Sequence, residues 1–118
     1  NMSQVPLIVI NSTGSVMKFS SSAEQVFGFS SQDVIGKNVK MLMPQYIADR
    51  HDEYLQLYRK KPPMPDAVLD KYVRGRRRTG EEFPAKLTLR EVRKQGQEPM
   101  FLGYLTDMSN KFEVIRRQ

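Results

Sequence analysis

The chain has no cysteine and only one histidine, His51, among its 118 residues. The missing thiols exclude disulfides, thiolate metal sites and cysteine nucleophiles or adducts. With a lone histidine, a structural zinc site would need mostly carboxylates, a donor set zinc rarely uses. No apolar run approaches the ~20 residues that span a bilayer. No basic, apolar and small-residue leader opens the sequence. The expectation is a soluble, cytoplasmic fragment without membrane contact, whose parent is free to carry membrane segments elsewhere. No phosphate-binding glycine loop or kinase signature is present, and no spacing places an activated serine beside His51. The chain therefore reads as not an enzyme in its own right.

What is present suits one domain covering residues 1–118. A composition of 39% hydrophobic and 27% charged residues is ordinary for a globular chain. The net charge of +6 favours anionic partners. Much of it sits at Arg74, Arg76, Arg77 and Arg78. Without a recognition helix or stacking aromatics, that cluster reads as a solvated hairpin turn, and nucleic acid is not an expected partner.

Leu7 to Ile10 is a short β-branched run, Asn11 to Gly14 supplies turn chemistry, and Ser15 to Ser20 returns as a second strand. Ser20 to Gly28 reads as a capped short helix closed by glycine. Ser30 or Ser31 caps a second one. Pro44 opens the longest helix, where Ile47, His51, Tyr54, Leu55 and Tyr58 recur at helical spacing on one apolar face. Asp49, Arg50, Asp52 and Glu53 fall on its watered side. Pro62, Pro63 and Pro65 end the helix. Three strands follow: Val68 to Arg74, the alternating Phe83, Ala85, Leu87 and Leu89, and Met100 to Thr106. Asn110 to Gln118 reads as the start of an amphipathic helix. Two strands, a helical block and three more strands indicate α+β with an antiparallel sheet.

That order resembles the PAS family across nearly the whole chain. The resemblance rests on Phe19-Ser20, Ala23-Glu24, Phe27-Gly28-Phe29, Val34 to Asn38, Met41 to Pro44, Arg50 to Leu55, Gly75 to Pro84 and Asp107. It implies a five-stranded antiparallel sheet with short helices on one face around a ligand pocket. The core would run over about 5–107, with an outgoing helix at about 109–118. Among PAS families the chain is most similar to the FixL-type haem oxygen sensors, in which the histidine of the Arg-His-Asp stretch is the axial ligand of haem b. That position is His51. Tyr54, Leu55, Lys71, Leu87 and Leu89 would then line the pocket.

Two readings of His51 stand side by side: a ligand to haem iron, or a histidine bordering the core and bonded to a carbonyl or water. The sequence departs from the haem sensors at Lys71, where they carry an arginine that donates to bound oxygen, and at Asp66, where they are apolar. An ammonium cannot offer the planar guanidinium fork. Light-sensing adducts of the flavin or cinnamoyl kind need a cysteine and are excluded in their usual form. The functional expectation is a sensory module of a larger signalling protein. It binds a small ligand, haem b and a gas in the specific version, and relays its state to an output domain through the outgoing helix. The alternative is a ligand-free interaction module. Phe112, Val114 and Ile115 form an apolar stripe on that helix, and a homodimer is the expected self-association.

Overall fold

Asn11 builds the first turn. Its side-chain oxygen accepts from the backbone N–H of Thr13 at 3.0 Å and of Ser15 at 2.9 Å. Gly14 supplies the positive φ, 90°, that the reversal needs. Strand β1 (Leu7–Ile10) thereby pairs antiparallel with β2 (Val16–Phe19). The computed structural model describes residues 5–60 and 68–110.

Ser20 ends the hairpin and starts a helix with the same oxygen. Its hydroxyl accepts from Leu7 N–H at 2.9 Å and from Ala23 N–H at 3.2 Å, capping α1 (Ser21–Phe27). Gly28, at φ 83°, closes α1 by donating to the Glu24 carbonyl at 2.8 Å. The short α2 (Ser31–Val34) begins differently from the serine cap that the sequence suggests. Ser30 stands at the cap position without a side-chain bond, and the Glu24 carboxylate accepts from Ser31 N–H instead. A 3-10 turn over Val39–Leu42, opened by the Asn38 side chain, leads to α3 (Gln45–Lys60). Pro44 lies just outside α3, and its carbonyl accepts from Ile47 and Ala48 N–H.

Three long strands complete the sheet: β3 (Val68–Arg76), β4 (Glu82–Val92) and β5 (Met100–Asp107). The five strands lie in the order β2-β1-β5-β4-β3, with every neighbouring pair antiparallel. This is the α+β architecture that the strand and helix order implies. Strand alternation sorts the side chains into two faces. Register places Ile8, Ile10, Phe101, Gly103, Leu105, Leu89, Leu87, Ala85, Phe83, Gly75, Val73, Lys71 and Leu69 on the inner face. The helices close over one half of that face, where Phe19, Phe27 and Phe83 stack in series at 5.9 and 5.5 Å between centroids. Helix α1 contributes Ala23 and Phe27, and α2 contributes Val34, all buried. The other half, around Leu69, Leu87 and Leu89, is less completely covered.

Ser109 and Asn110 are helical after β5. The rest of the expected outgoing helix, with Phe112, Val114 and Ile115, lies outside the described residues. So do the proline segment and Asp66.

Candidate functional site

Helix α3 turns a different edge to the core from the one its apolar spacing suggests. Ala48 and Leu55 are buried, at 6% exposure each, and Ile47 and His51 are half-buried beside them. Tyr54 is 52% exposed, so it leaves the expected apolar face. The buried seam runs through 48, 51 and 55, so the helix is rotated to bury the small alanine and the leucine rather than Tyr54. Asp49, Arg50, Asp52 and Glu53 are all exposed, as the charge pattern indicates. The side chain of Tyr58 lies outside the described residues.

His51 is held with one ring nitrogen in a dry position. Its Nδ1 is buried and has no hydrogen-bond partner among the described residues. Burial pulls its pKa below the ordinary 6.5; Asp52 opposes this, while Lys71 and Lys40 add to it. The imidazole is therefore neutral at physiological pH, the form that donates a lone pair to a metal. Lys40 bonds Asp52 at 3.0 Å, which partly neutralises the nearest carboxylate.

A consequence for stability follows. The folded state resists protonating His51, so protons bind the unfolded chain first. Stability from this group is fully present above pH 6.5 and is lost as pH falls from there through the lowered folded value. Urea midpoints measured at pH 7.5 and 5.5 should therefore fall with pH, and the fall should shrink in His51→Gln. A midpoint that rises on acidification, or an unchanged fall in the variant, contradicts this. Asp107 does not interfere, because its carboxyl titrates below 3.8.

The other residues expected to line a pocket separate into two groups. Lys71, Leu87 and Leu89 share the inner face, with Lys71 paired to Leu87 and Leu69 to Leu89 across β3 and β4. Leu87 and Leu89 are half-buried, and Leu69, though on the inner face, is 42% exposed. The sheet thus offers an incompletely covered apolar surface around Leu69, Leu87 and Leu89. Lys71 extends toward α3, with its ammonium 5.3 Å from the centroid of the Tyr54 ring. Leu55 belongs instead to the packed core, close against Gly14 at the first turn. Two clefts flank α3, of roughly 360 and 280 Å3, and His51 lines neither.

A second cluster was not legible as such. The Arg74 to Arg78 run is not wholly the solvated turn it resembles. Arg77 donates to Asp107 at 2.9 Å, to the Val26 carbonyl at 2.7 Å and to Glu81, and its guanidinium lies 4.1 Å from the Phe83 ring centroid. Asp107 also accepts from the N–H and hydroxyl of Ser109, at 2.9 and 2.6 Å. Burial alone would raise the Asp107 carboxyl; the bonds from Ser109 and then Arg77 overcome this and hold it below its ordinary value. One arginine thus ties α1, the β3–β4 turn and the exit of β5. The signal was in the sequence as a turn arginine and a strand-ending aspartate, 30 residues apart.

The comparisons with known proteins agree with this architecture. The PAS domain family matches over residues 4–110. The chain belongs to the PAS domain family. It is 38% identical over 111 residues to the sensor protein FixL of Bradyrhizobium diazoefficiens, covering 94% of this chain and 22% of that protein. It is 26% identical over 102 residues to the oxygen sensor protein DosP of Escherichia coli, covering 86% of this chain and 13% of that one. The chain thus spans under a quarter of these relatives, and is similar to one segment of each. Among solved structures, the PAS domain of an HTR-like protein from Haloarcula marismortui superposes with a TM-score of 0.71 at 16% identity, covering 87% of this chain and 80% of that one. The Rhodobacter sphaeroides LOV protein gives 0.71 at 18% identity, over 92% and 62%. Among the described residues no helix is long and apolar enough to cross a membrane.

Proposed function

We propose that this PAS sensory domain binds haem b through His51, on the incompletely covered inner face between α3 and β3–β4, and reports a diatomic gas to an output domain of a longer protein. The observation that carries this reading is the buried, partnerless Nδ1 of a histidine kept neutral by its surroundings. A neutral imidazole in a dry site has an unmet polar nitrogen, and an iron centre satisfies one nitrogen of the ring. Likeness to FixL and to an oxygen sensor supports the same assignment. His51 would hold the iron, and Leu69, Leu87 and Leu89 would supply apolar contact. When bound, haem supplies the iron that takes the gas.

The protein's own part is to keep His51 neutral, bury its Nδ1 and place a cation nearby. Lys71 is that cation, and its compact ammonium donates without the bidentate geometry of a guanidinium. A gas bound as a polarised diatomic would meet a single ammonium here rather than a guanidinium fork. The expectation is oxygen affinity below that of an arginine-bearing sensor, with Lys71→Arg raising it.

Titration of the purified chain with hemin tests the assignment. A saturable Soret band at one haem per chain is the expected result; a spectrum that merely sums free hemin and protein removes haem from the reading.

A ligand-free interaction module remains the second reading, favoured by a specific observation. Val68, Tyr72 and Tyr104 on the outer sheet face are 48%, 72% and 41% exposed. Light scattering separates its two surfaces. If Phe112, Val114 and Ile115 mediate a homodimer, a chain ending at Asp107 is monomeric; an unchanged mass transfers self-association to the sheet.

A further inference from the structure

Four basic side chains are ion-paired among the described residues. Lys40, Arg74, Arg77 and Arg93 each meet a carboxylate within 3.5 Å. Arg50 and Lys71 do not meet one among the described residues, and both stand beside Tyr54. Lys71 lies 5.3 Å from the centre of that ring. Arg50 lines with it the groove of roughly 280 Å3 whose other walls are Tyr46 and Ile47.

The helix builds this groove from its own spacing. Positions 46, 50 and 54 are successive four-residue steps, so two phenol rings flank one guanidinium on a single stripe. Both rings are more than half exposed, an unusual cost for aromatic surface with nothing yet assigned to cover it. The volume lies just under the range of ordinary small-molecule pockets, about 300–1,000 Å3, which limits the occupant to little more than one ring and one acid group. Aromatic walls select a flat apolar body. Two uncompensated cations select a negative charge, and the guanidinium fork suits the two oxygens of a carboxylate. The net charge of +6 adds long-range attraction for such an anion.

We propose that the groove formed by Tyr46, Ile47, Arg50 and Tyr54 on α3, with the Lys71 ammonium beside the Tyr54 ring at its edge, binds a small aromatic carboxylate. The ring of the ligand rests on the tyrosines and Ile47, and its acid group is held by Arg50 and Lys71. His51 is not among the lining residues, so this site goes beyond the haem reading, with which it shares only Lys71. It also places a second small-molecule input on the same helix.

The test is an NMR titration of the whole chain with three probes: benzoate, benzamide as its uncharged counterpart, and acetate as charge without a ring. The expected result is shifts confined to residues around 46–54 and 71, with benzoate binding about tenfold more tightly than either control. Arg50→Gln/Lys71→Gln should weaken benzoate about tenfold while leaving benzamide unchanged and the spectrum folded. His51→Ala, which abolishes haem uptake under the reading above, should leave benzoate binding as it was, so the two ideas fail separately. Equal binding of benzoate and benzamide, shifts elsewhere, no benzoate binding, or an unaffected double variant would each overturn the site.

Discussion

Arg77→Ala is expected to lower stability by about 2–3 kcal/mol, a drop of roughly 10 °C in melting temperature. The magnitude follows from what the guanidinium leaves behind. The Val26 carbonyl at the end of α1 loses its donor, the Asp107 carboxylate loses its cation, and the buried Phe83 ring loses its cover. An exposed surface pair is worth under about 1 kcal/mol, but the Arg77 side chain is only 21% exposed and Asp107 24%. Loss of a partly buried charge partner therefore costs more than the surface value, yet less than full burial implies. Arg77→Lys should recover part of this, because an ammonium can meet Asp107 but its single nitrogen cannot reach acceptors spread around the guanidinium as Glu81, Val26 and Asp107 are. In a double-mutant cycle, Arg77→Ala and Asp107→Ala should be coupled by about 1 kcal/mol or more. A loss below about 0.5 kcal/mol would show that the cluster is a surface feature.

The same cluster links α1 and the β3–β4 turn to the exit of β5. Asp107 is gripped by Arg77 on one side and by Ser109 on the other, where the chain turns out of β5 into a helical start.

Gly75→Ala should cost a comparable 2–3 kcal/mol. Gly75 sits within a regular strand, so backbone conformation is not the reason. An added Cβ would lie 2.6 Å from Cζ and 2.8 Å from Cε1 of Phe83, and 3.3 Å from Cε1 of Phe27. Those rings are 1% and 2% exposed and pack on each other, so neither has room to retreat. Gly103→Ala is the matched comparison: its Cβ would meet Cδ1 of Leu87 at 3.1 Å, the far end of a half-buried flexible side chain. Denaturant unfolding should rank Gly75→Ala as clearly more damaging than Gly103→Ala. Trimming the obstruction in Gly75→Ala/Phe83→Leu should recover part of the loss. Equal costs at the two glycines, or no recovery, would contradict the packing account.

These two sites show where the sequence is readable and where it is not. Turns and caps are local, so Gly14 and Gly28 declare themselves within a few residues, and Ser20 is recognisable before Ala23-Glu24. Strand alternation in β4 announces its buried face through Phe83, Ala85, Leu87 and Leu89. The rotation of α3 was less visible. Tyr54 and Leu55 both fit an apolar stripe, and only the partner surface decides which one is buried. Ser30 looks like a cap, but the donor at Ser31 is taken by Glu24 from the preceding helix. Arg77 and Gly75 depend on contacts between distant strands and helices, which no local pattern encodes. His51 was singled out from its motif, yet its motif is shared by the two readings. The partnerless Nδ1 is a feature only the fold could reveal.

His51 is also where the functional account is most exposed to test. Hemin titration of His51→Ala, with circular dichroism to verify the fold, should give no Soret band, and free imidazole added to that variant should restore one by entering the vacated space. The same titration giving wild-type uptake in His51→Ala would contradict the account and leave the histidine as a border of the core.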